Sequence, residues 1–255
     1  MAVIEYFRAM TATSNNDRES HPSAVVLMPA FNEAGAIGQV IADIQAFIDL
    51  PIIVIDDAST DDTIGEARRA GATVLPLCTQ LGAWGATQTG LRYAVRHGFD
   101  VAITMDADGQ HDARSLDKLI RPVAQGLCDV SIGACTRRGS ALRHVAWVLM
   151  KRTSGLALED ITSGFRVYNR QAIRQLASWR ASLLDYQDVG VLLLLQAQGL
   201  RIMDVKVAMQ ARQNGKSRIF HSWLTVFYYM YHTLLLGLSK RKRARKYMNP
   251  SEITG

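Results

Sequence analysis

The sequence is short of cysteine, and its cysteines form no pattern. Cys78, Cys128 and Cys135 are the only three in 255 residues, with no CxxC spacing. That speaks against a disulfide scaffold and a structural zinc site and for a reducing compartment. The first twenty residues hold no apolar run followed by a small-residue cleavage site, so they do not read as a secretory signal. No GxGxxG and no Walker A spacing occurs, which leaves a nicotinamide or P-loop nucleotide site without support. No internal repeat and no recognisable nucleic-acid module is visible, which argues against a nucleic-acid partner.

What the chain does have is a normal globular composition, 48% hydrophobic and 20% charged, with a net charge of +6. The length suits one large domain, or one domain with a modest appendage. Its basicity points to an anionic partner, but it is unevenly placed. Lys240–Lys246 reads KRKRARK, six basic residues in seven, and without that run the chain is almost neutral.

From Ala24 onward, short apolar runs alternate with segments of helical spacing. Ala24–Met28, Pro51–Ile55, Thr73–Leu77, Val101–Met105 and Asp129–Gly133 read as strands. Ala36–Ile48, Asp61–Ala70, Ala86–His97 and Ser115–Ala124 read as helices between them. Continuous apolar strands separated by helices predict a doubly wound, mostly parallel α/β sheet with helices on both faces. Further on, Ile161–Tyr168 reads as a strand or extended segment, Val189–Gln198 as an apolar helix and Leu200–Met209 as a strand.

Ligands of such sheets sit at the carboxyl ends of the strands. Three polar clusters occupy those positions: Pro29-Ala-Phe-Asn-Glu33, Asp56-Asp-Ala-Ser59 and Asp106-Ala-Asp-Gly-Gln-His111. Each alone also reads as turn and cap chemistry; three on one rim point to a site. Asp106 and Asp108, one residue apart beyond an apolar strand, suit a hard divalent cation that takes one or two carboxylates plus substrate phosphates. Gly109 permits a sharp turn that brings Gln110 or His111 toward it. Such an ion would bridge a diphosphate and neutralise charge on a departing nucleotide. Arg212-Gln-Asn-Gly-Lys-Ser-Arg218 offers three cations on a loop, and reads equally as a solvated turn.

The motifs MPAFNE (Met28–Glu33), VIDDAST (Val54–Thr60), LGAWGATQTGLRYA (Leu81–Ala94), MDADGQH (Met105–His111), DITSGFRVYNR (Asp160–Arg170) and RQNGKSR (Arg212–Arg218) stand in this order. Together they resemble family 2 inverting glycosyltransferases, in particular the dolichyl-phosphate mannose synthases and bacterial polyprenyl-phosphate glycosyltransferases, over Ala24 to Arg218. The resemblance implies a GT-A fold and a GDP- or UDP-sugar donor. It implies that Pro29, Ala30, Phe31, Glu33 and Asp57 hold the nucleoside. Asp106, Ala107 and Asp108 would lie on the diphosphate, with Asp106, Asp108 and Gln110 binding Mg²⁺ or Mn²⁺. Ser163, Arg166, Arg212 and Lys216 would serve the phosphates or the acceptor, and Asp160 and Asp188 the catalytic site.

Two departures from the family pattern stand out. An arginine expected in a G-S-R sequence after the fifth strand is replaced by Gly133-Ala-Cys135, which leaves Arg137, Arg138 or Arg143 to supply the contact; Arg138 is the candidate carried forward. A second acidic residue near Tyr186–Gly190 is replaced by Gly190, a loss that suits a phosphate acceptor and equally suits altered activity.

Ile219–Leu238 contains no Asp, Glu, Lys or Arg but holds Trp223, three tyrosines and two histidines. Aromatic residues favour a membrane interface, and the following basic run favours an anionic leaflet, at about 1 kcal/mol per residue. Packed-helix, oligomer-forming and membrane-spanning readings stand beside that one. The expected organisation is a flexible lead-in over 1–22, a GT-A domain over 23–218, and an apolar aromatic helix with a polybasic tail over 219–255. The expected function is transfer of a sugar from a nucleotide-sugar to a polyprenyl phosphate, at the inner face of the cell membrane. Two alternatives are transfer to a hydroxyl of a lipid-linked or polysaccharide acceptor, and a weakly active nucleotide-sugar-binding subunit that recruits a membrane-protein partner.

Overall fold

The structure, a computed structural model, describes residues 23–134, 158, 163–184 and 189–208. Contacts divide the chain into two units, and every described residue except Leu158 lies in the first, which comprises 1–135 and 160–214. Strands β1 (Ala24–Ala30), β2 (Ile52–Asp56), β3 (Thr73–Pro76), β4 (Val101–Thr104), β5 (Val130–Ala134), β6 (Arg166–Asn169) and β7 (Ile202–Lys206) form one sheet in the order β3-β2-β1-β4-β6-β5-β7. The helices are α1 (Ile37–Phe47), α2 (Thr63–Arg69), α3 (Gly82–Arg96), α4 (Leu116–Ala124), α5 (Arg170–Ala177) and α6 (Val189–Ala197).

The β1 side chains alternate between two helical layers, as a strand buried on both faces requires. Ala24, Val26, Met28 and Ala30 pack with Ile37, Ile41 and Ile44 of α1 and Leu119, Ile120 and Val123 of α4. On the other face α3 comes so close that a Cβ on Gly90 would lie 2.8 Å from Ile55 Cδ1 and 3.3 Å from Leu27 Cδ1. Each fully buried Leu, Ile or Val of these layers stabilises the fold by about 1.5–3 kcal/mol.

Three features differ from the sequence expectation. β6 runs antiparallel to both neighbours, pairing Thr104 with Arg166 and Ser131 with Val167, within an otherwise parallel sheet. Helix α5 follows β6 directly and is capped by Asn169, whose Oδ1 accepts from Ala172 N at 2.9 Å. Helix α3 begins at Gly82 rather than Ala86, because Asp57 from across the chain accepts from Leu81 N at 2.6 Å and Gly82 N at 2.9 Å. That contact satisfies amide donors which a helix start otherwise leaves open.

No helix among the described residues is long and apolar enough to cross a membrane. The expected helix over 219–238 lies outside the described residues.

Candidate active site

Strands β2, β1 and β4 are neighbours, with Ala30 opposite Asp56 and Leu27 opposite Thr104. Their carboxyl ends therefore open side by side, at the roughly 5 Å spacing of adjacent strands. The chain that leaves β1 is sewn to the chain that leaves β2. Asn32, at φ 54°, is in the left-handed region that Asn tolerates. Its Oδ1 accepts from Thr60 N at 2.7 Å, and its own N–H donates to Ser59 Oγ at 2.9 Å. Glu33 N donates to Thr63 Oγ1 at 2.9 Å, and Asp57 N donates to Ala30 O at 2.8 Å. Asp61 accepts from Ala34 N at 3.2 Å, from Thr63 N at 3.0 Å, and from the Thr63 hydroxyl. Burial alone would raise the Asp61 carboxyl, but these hydrogen bonds outweigh it and hold the group below its usual value.

Within this rim the two adjacent carboxylates have different surroundings. Both oxygens of Asp57 receive amide hydrogens at the start of α3, yet burial and the neighbouring Asp56 still push its pKa up. Asp56 is 1% exposed; one oxygen accepts from Ser59 N at 3.1 Å, and the other, Oδ1, is buried with no hydrogen-bond partner. An open acceptor of that kind is costly unless a donor arrives. The resemblance singles out Asp57 and not Asp56; two successive aspartates carry no mark of which one the fold leaves with an open acceptor.

The second half of the rim follows β4. Gly109, at φ 74°, turns the chain back on itself. Gln110 N donates to Asp108 Oδ1 at 3.1 Å, and Asp106 N donates to His111 Nδ1 at 3.1 Å. With Nδ1 accepting, the neutral ring carries its proton on Nε2, which lies 3.6 Å from Asp106 Oδ2. The His111 ring stacks on Phe165, with centroids 5.0 Å apart and planes at 18°.

The SGFR turn meets the DADGQH turn here. A Cβ on Gly164 would lie 2.5 Å from Asp106 Oδ1, so only glycine leaves room for that carboxylate. Thr104 Oγ1 donates to Gly164 O at 2.7 Å and fixes the turn from the β4 side. Ser163 Oγ accepts from Phe165 N at 3.3 Å, and Ser163 O accepts from Arg166 Nε at 2.8 Å. Arg166 is fully buried and braces this turn from inside the sheet. Nothing in the sequence alone marks Phe165 and Gly164 individually, because their contacts here cross 54 to 60 residues of chain.

The structure thus brings Pro29, Ala30, Phe31, Glu33 and Asp57 to one side of the rim, and Asp106, Ala107, Asp108, Gln110, Ser163 and Arg166 to the other. Arg138, Asp160, Asp188, Arg212 and Lys216 lie outside the described residues. No group of three or more His, Cys, Asp or Glu among the described residues forms a metal cage by itself. The side chain of Asp106 is 39% exposed, and Asp108, two residues on, is partly exposed. Two partly exposed carboxylates fit a hard cation whose remaining positions are filled by phosphate and water.

The chain is similar to known proteins in sequence and in fold. The family model described as Glycosyl transferase family 2 matches residues 25–178, from β1 through α5. The undecaprenyl-phosphate mannosyltransferase of Micrococcus luteus is 28% identical over 214 residues, covering 76% of this chain and 86% of that protein. The polyprenol monophosphomannose synthase of Mycolicibacterium smegmatis is 25% identical over 213 residues, covering 76% and 80%. Among solved structures, the glucosyl-3-phosphoglycerate synthase of Mycobacterium tuberculosis, in complex with Mn²⁺, UDP and phosphoglyceric acid, superposes with a TM-score of 0.68. That match has 20% identity and covers 93% of this chain and 82% of the other, which establishes a shared GT-A fold.

Proposed function

Because the chain belongs to glycosyl transferase family 2, we propose that it transfers one sugar from a GDP- or UDP-sugar to a polyprenyl phosphate, inverting the anomeric centre. The observation that carries this reading is the adjacency of the Asp56/Asp57 rim and the Asp106/Asp108 turn on either side of β1. A nucleoside diphosphate is long enough to use both, base toward one and diphosphate toward the other. The choice of a lipid phosphate acceptor is supported by the two prenyl-phosphate mannosyltransferase relatives.

In this reading Asp56 and Asp57 present acceptors to the N–H groups of the base. Pro29, Ala30, Phe31 and Glu33 line the nucleoside, and Asp106, Asp108 and Gln110 hold Mg²⁺ or Mn²⁺. When bound, the ion supplies charge neutralisation for the departing nucleotide. His111 and Gly164 keep the Asp106 carboxylate in place. The acceptor phosphate is already ionised near neutral pH, so little base catalysis is needed. In-line positioning and screening of two anions provide most of the rate. Ser163, Arg138, Arg212 and Lys216 serve that screening, Arg166 braces the turn that carries Ser163, and Asp160 and Asp188 orient the reacting groups. The GT-A domain over 23–218 would work at the inner membrane face, with 219–255 as its attachment.

The test is incubation of the purified protein with Mn²⁺ or Mg²⁺, labelled UDP- and GDP-sugars and short polyprenyl phosphates. A mild-acid-labile glycolipid is expected, and Asp108→Ala should abolish it with the fold intact. Metal-dependent nucleotide binding without product from any donor would overturn the reading in favour of a binding subunit. An acid-stable glycoside would point to a hydroxyl acceptor.

A further inference from the structure

The two most exposed large hydrophobic residues among those described, Trp179 at 69% and Leu183 at 74%, sit on one short turn, Trp179–Leu183, after α5. Isolated exposed apolar residues are ordinary. These two are unusual because the turn that presents them is fastened down. Trp84, Gln88 and Arg92 recur every four residues along one face of α3. Trp84 Nε1 donates to Ala181 O at 2.9 Å, and Gln88 Nε2 donates to Leu176 O at 2.9 Å and Ser178 O at 3.1 Å. Arg92 donates to Ala177 O at 3.1 Å and Ser182 Oγ at 2.7 Å. These bonds hold Ala181 O, the Ser182 hydroxyl and the three carbonyls of Leu176, Ala177 and Ser178 that lead into the turn, so the turn is fixed to α3 with Trp179 and Leu183 facing outward.

The two described segments that meet here are basic, with Asp100 at the end of one and Asp185 just past the other as acidic neighbours. Neither Gly82–Phe99 nor Arg170–Leu184 contains an Asp or Glu, while together they hold Arg92, Arg96, Arg170, Arg174 and Arg180. Of these, Arg170 is engaged by Asp100. The Arg180 guanidinium lies 5.9 Å from the Trp179 ring centroid, and Arg92 reaches the same turn through Ser182. An exposed Trp and Leu flanked by arginines match the layered chemistry of an anionic bilayer, with an apolar interior under phosphate headgroups.

We propose that the Trp179–Leu183 turn is a membrane-docking element of the catalytic unit, with Trp179 and Leu183 entering the headgroup layer and Arg92 and Arg180 contacting lipid phosphates. It is separate from the 219–255 attachment, and its purpose rests on the lipid-acceptor reading. It would bring the site rim to the surface from which a prenyl phosphate is drawn.

The full chain has four tryptophans, so contact can be assigned by difference. Wild type and Trp179→Phe are titrated with vesicles of brominated phosphatidylcholine and phosphatidylglycerol, and tryptophan quenching is recorded. Trp179→Phe should remove a quenchable component, and Trp179→Ser with Leu183→Ser should weaken vesicle binding about tenfold or more. Transfer to a short, water-soluble prenyl phosphate without vesicles should stay at the wild-type rate in the double variant. That rate tests the transferase reading independently of docking. Quenching undiminished in Trp179→Phe, or a full chain that does not bind the vesicles, overturns the proposal. So does a loss of self-association in the double variant without lipid, which would assign the patch to a second copy.

Discussion

Gly164→Ala should uncouple the DADGQH turn from the SGFR turn without unfolding the protein. The new Cβ would stand 2.5 Å from Asp106 Oδ1, 2.8 Å from Oδ2 and 3.0 Å from Cγ. Ordinary carbon–oxygen contact begins at about 3.3 Å, so one partner must retreat by about 0.8 Å from 2.5 Å. The Gly164 backbone cannot yield easily, because its carbonyl is held by Thr104 Oγ1 at 2.7 Å and the next residues enter β6. The Asp106 carboxylate therefore moves. Overpacking of this size costs about 1–3 kcal/mol of stability, and disturbing what orients a metal ligand typically costs about 10–100-fold in affinity. A misplacement near 1 Å costs about 100-fold in rate. The measurement is Mn²⁺ affinity by electron paramagnetic resonance with nucleotide present, beside kcat and circular dichroism. A folded Gly164→Ala protein with wild-type Mn²⁺ affinity and rate would refute the placement of Asp106 on the diphosphate.

Two further outcomes follow from the described residues. Asp129 accepts from Arg201 N at 2.7 Å and from Asn169 Nδ2 at 2.9 Å; burial raises its pKa, but these bonds and the Arg201 guanidinium outweigh burial and hold it below 3.8. A depressed carboxyl stabilises the fold above its unfolded pKa and loses that contribution as pH falls through the folded value. Asp129→Asn should therefore lower urea stability by about 1.5–3 kcal/mol near pH 7, and its gap to wild type should close below pH 3.8; a pH-independent gap contradicts the linkage. Ala58 stands at φ 60°, a left-handed conformation that costs a side-chain-bearing residue about 1–2 kcal/mol. Ala58→Gly should raise the urea midpoint by the equivalent of about 0.5–1 kcal/mol after glycine's extra chain entropy is subtracted; a lowered midpoint contradicts it.

The sheet was legible in sequence wherever a strand is buried on both faces. AVVLM, PIIVI and VAITM are continuous apolar runs because nothing polar can face either helical layer, and they became β1, β2 and β4 in that order. The rim chemistry was legible for the same reason, since strand ends are where polar residues reappear. What stayed hidden depends on contacts between distant segments. The first turn of α3 is held by Asp57, twenty-four residues earlier. Cap rules read only the residues next to a helix, so Leu81 and Gly82 looked like loop. Helix α5 was missed because RQAIRQLA carries only Ala172, Ile173 and Leu176 as buried positions, too few turns for its period to stand out.

The direction of β6 explains why DADGQH and SGFR meet. An antiparallel strand begins beside the end of its neighbour, and the Thr104–Arg166 pair places the entry to β6 against the exit from β4. Had β6 been parallel, Gly164 and Phe165 would stand at the opposite edge of the sheet, far from Asp106 and His111. The same reversal leaves β5 parallel to β4 and to β7, so the chain also departs from this rim after Ala134 and after Lys206. The parallel strands all exit at this edge, and the one inverted strand adds the entry of its own segment to it.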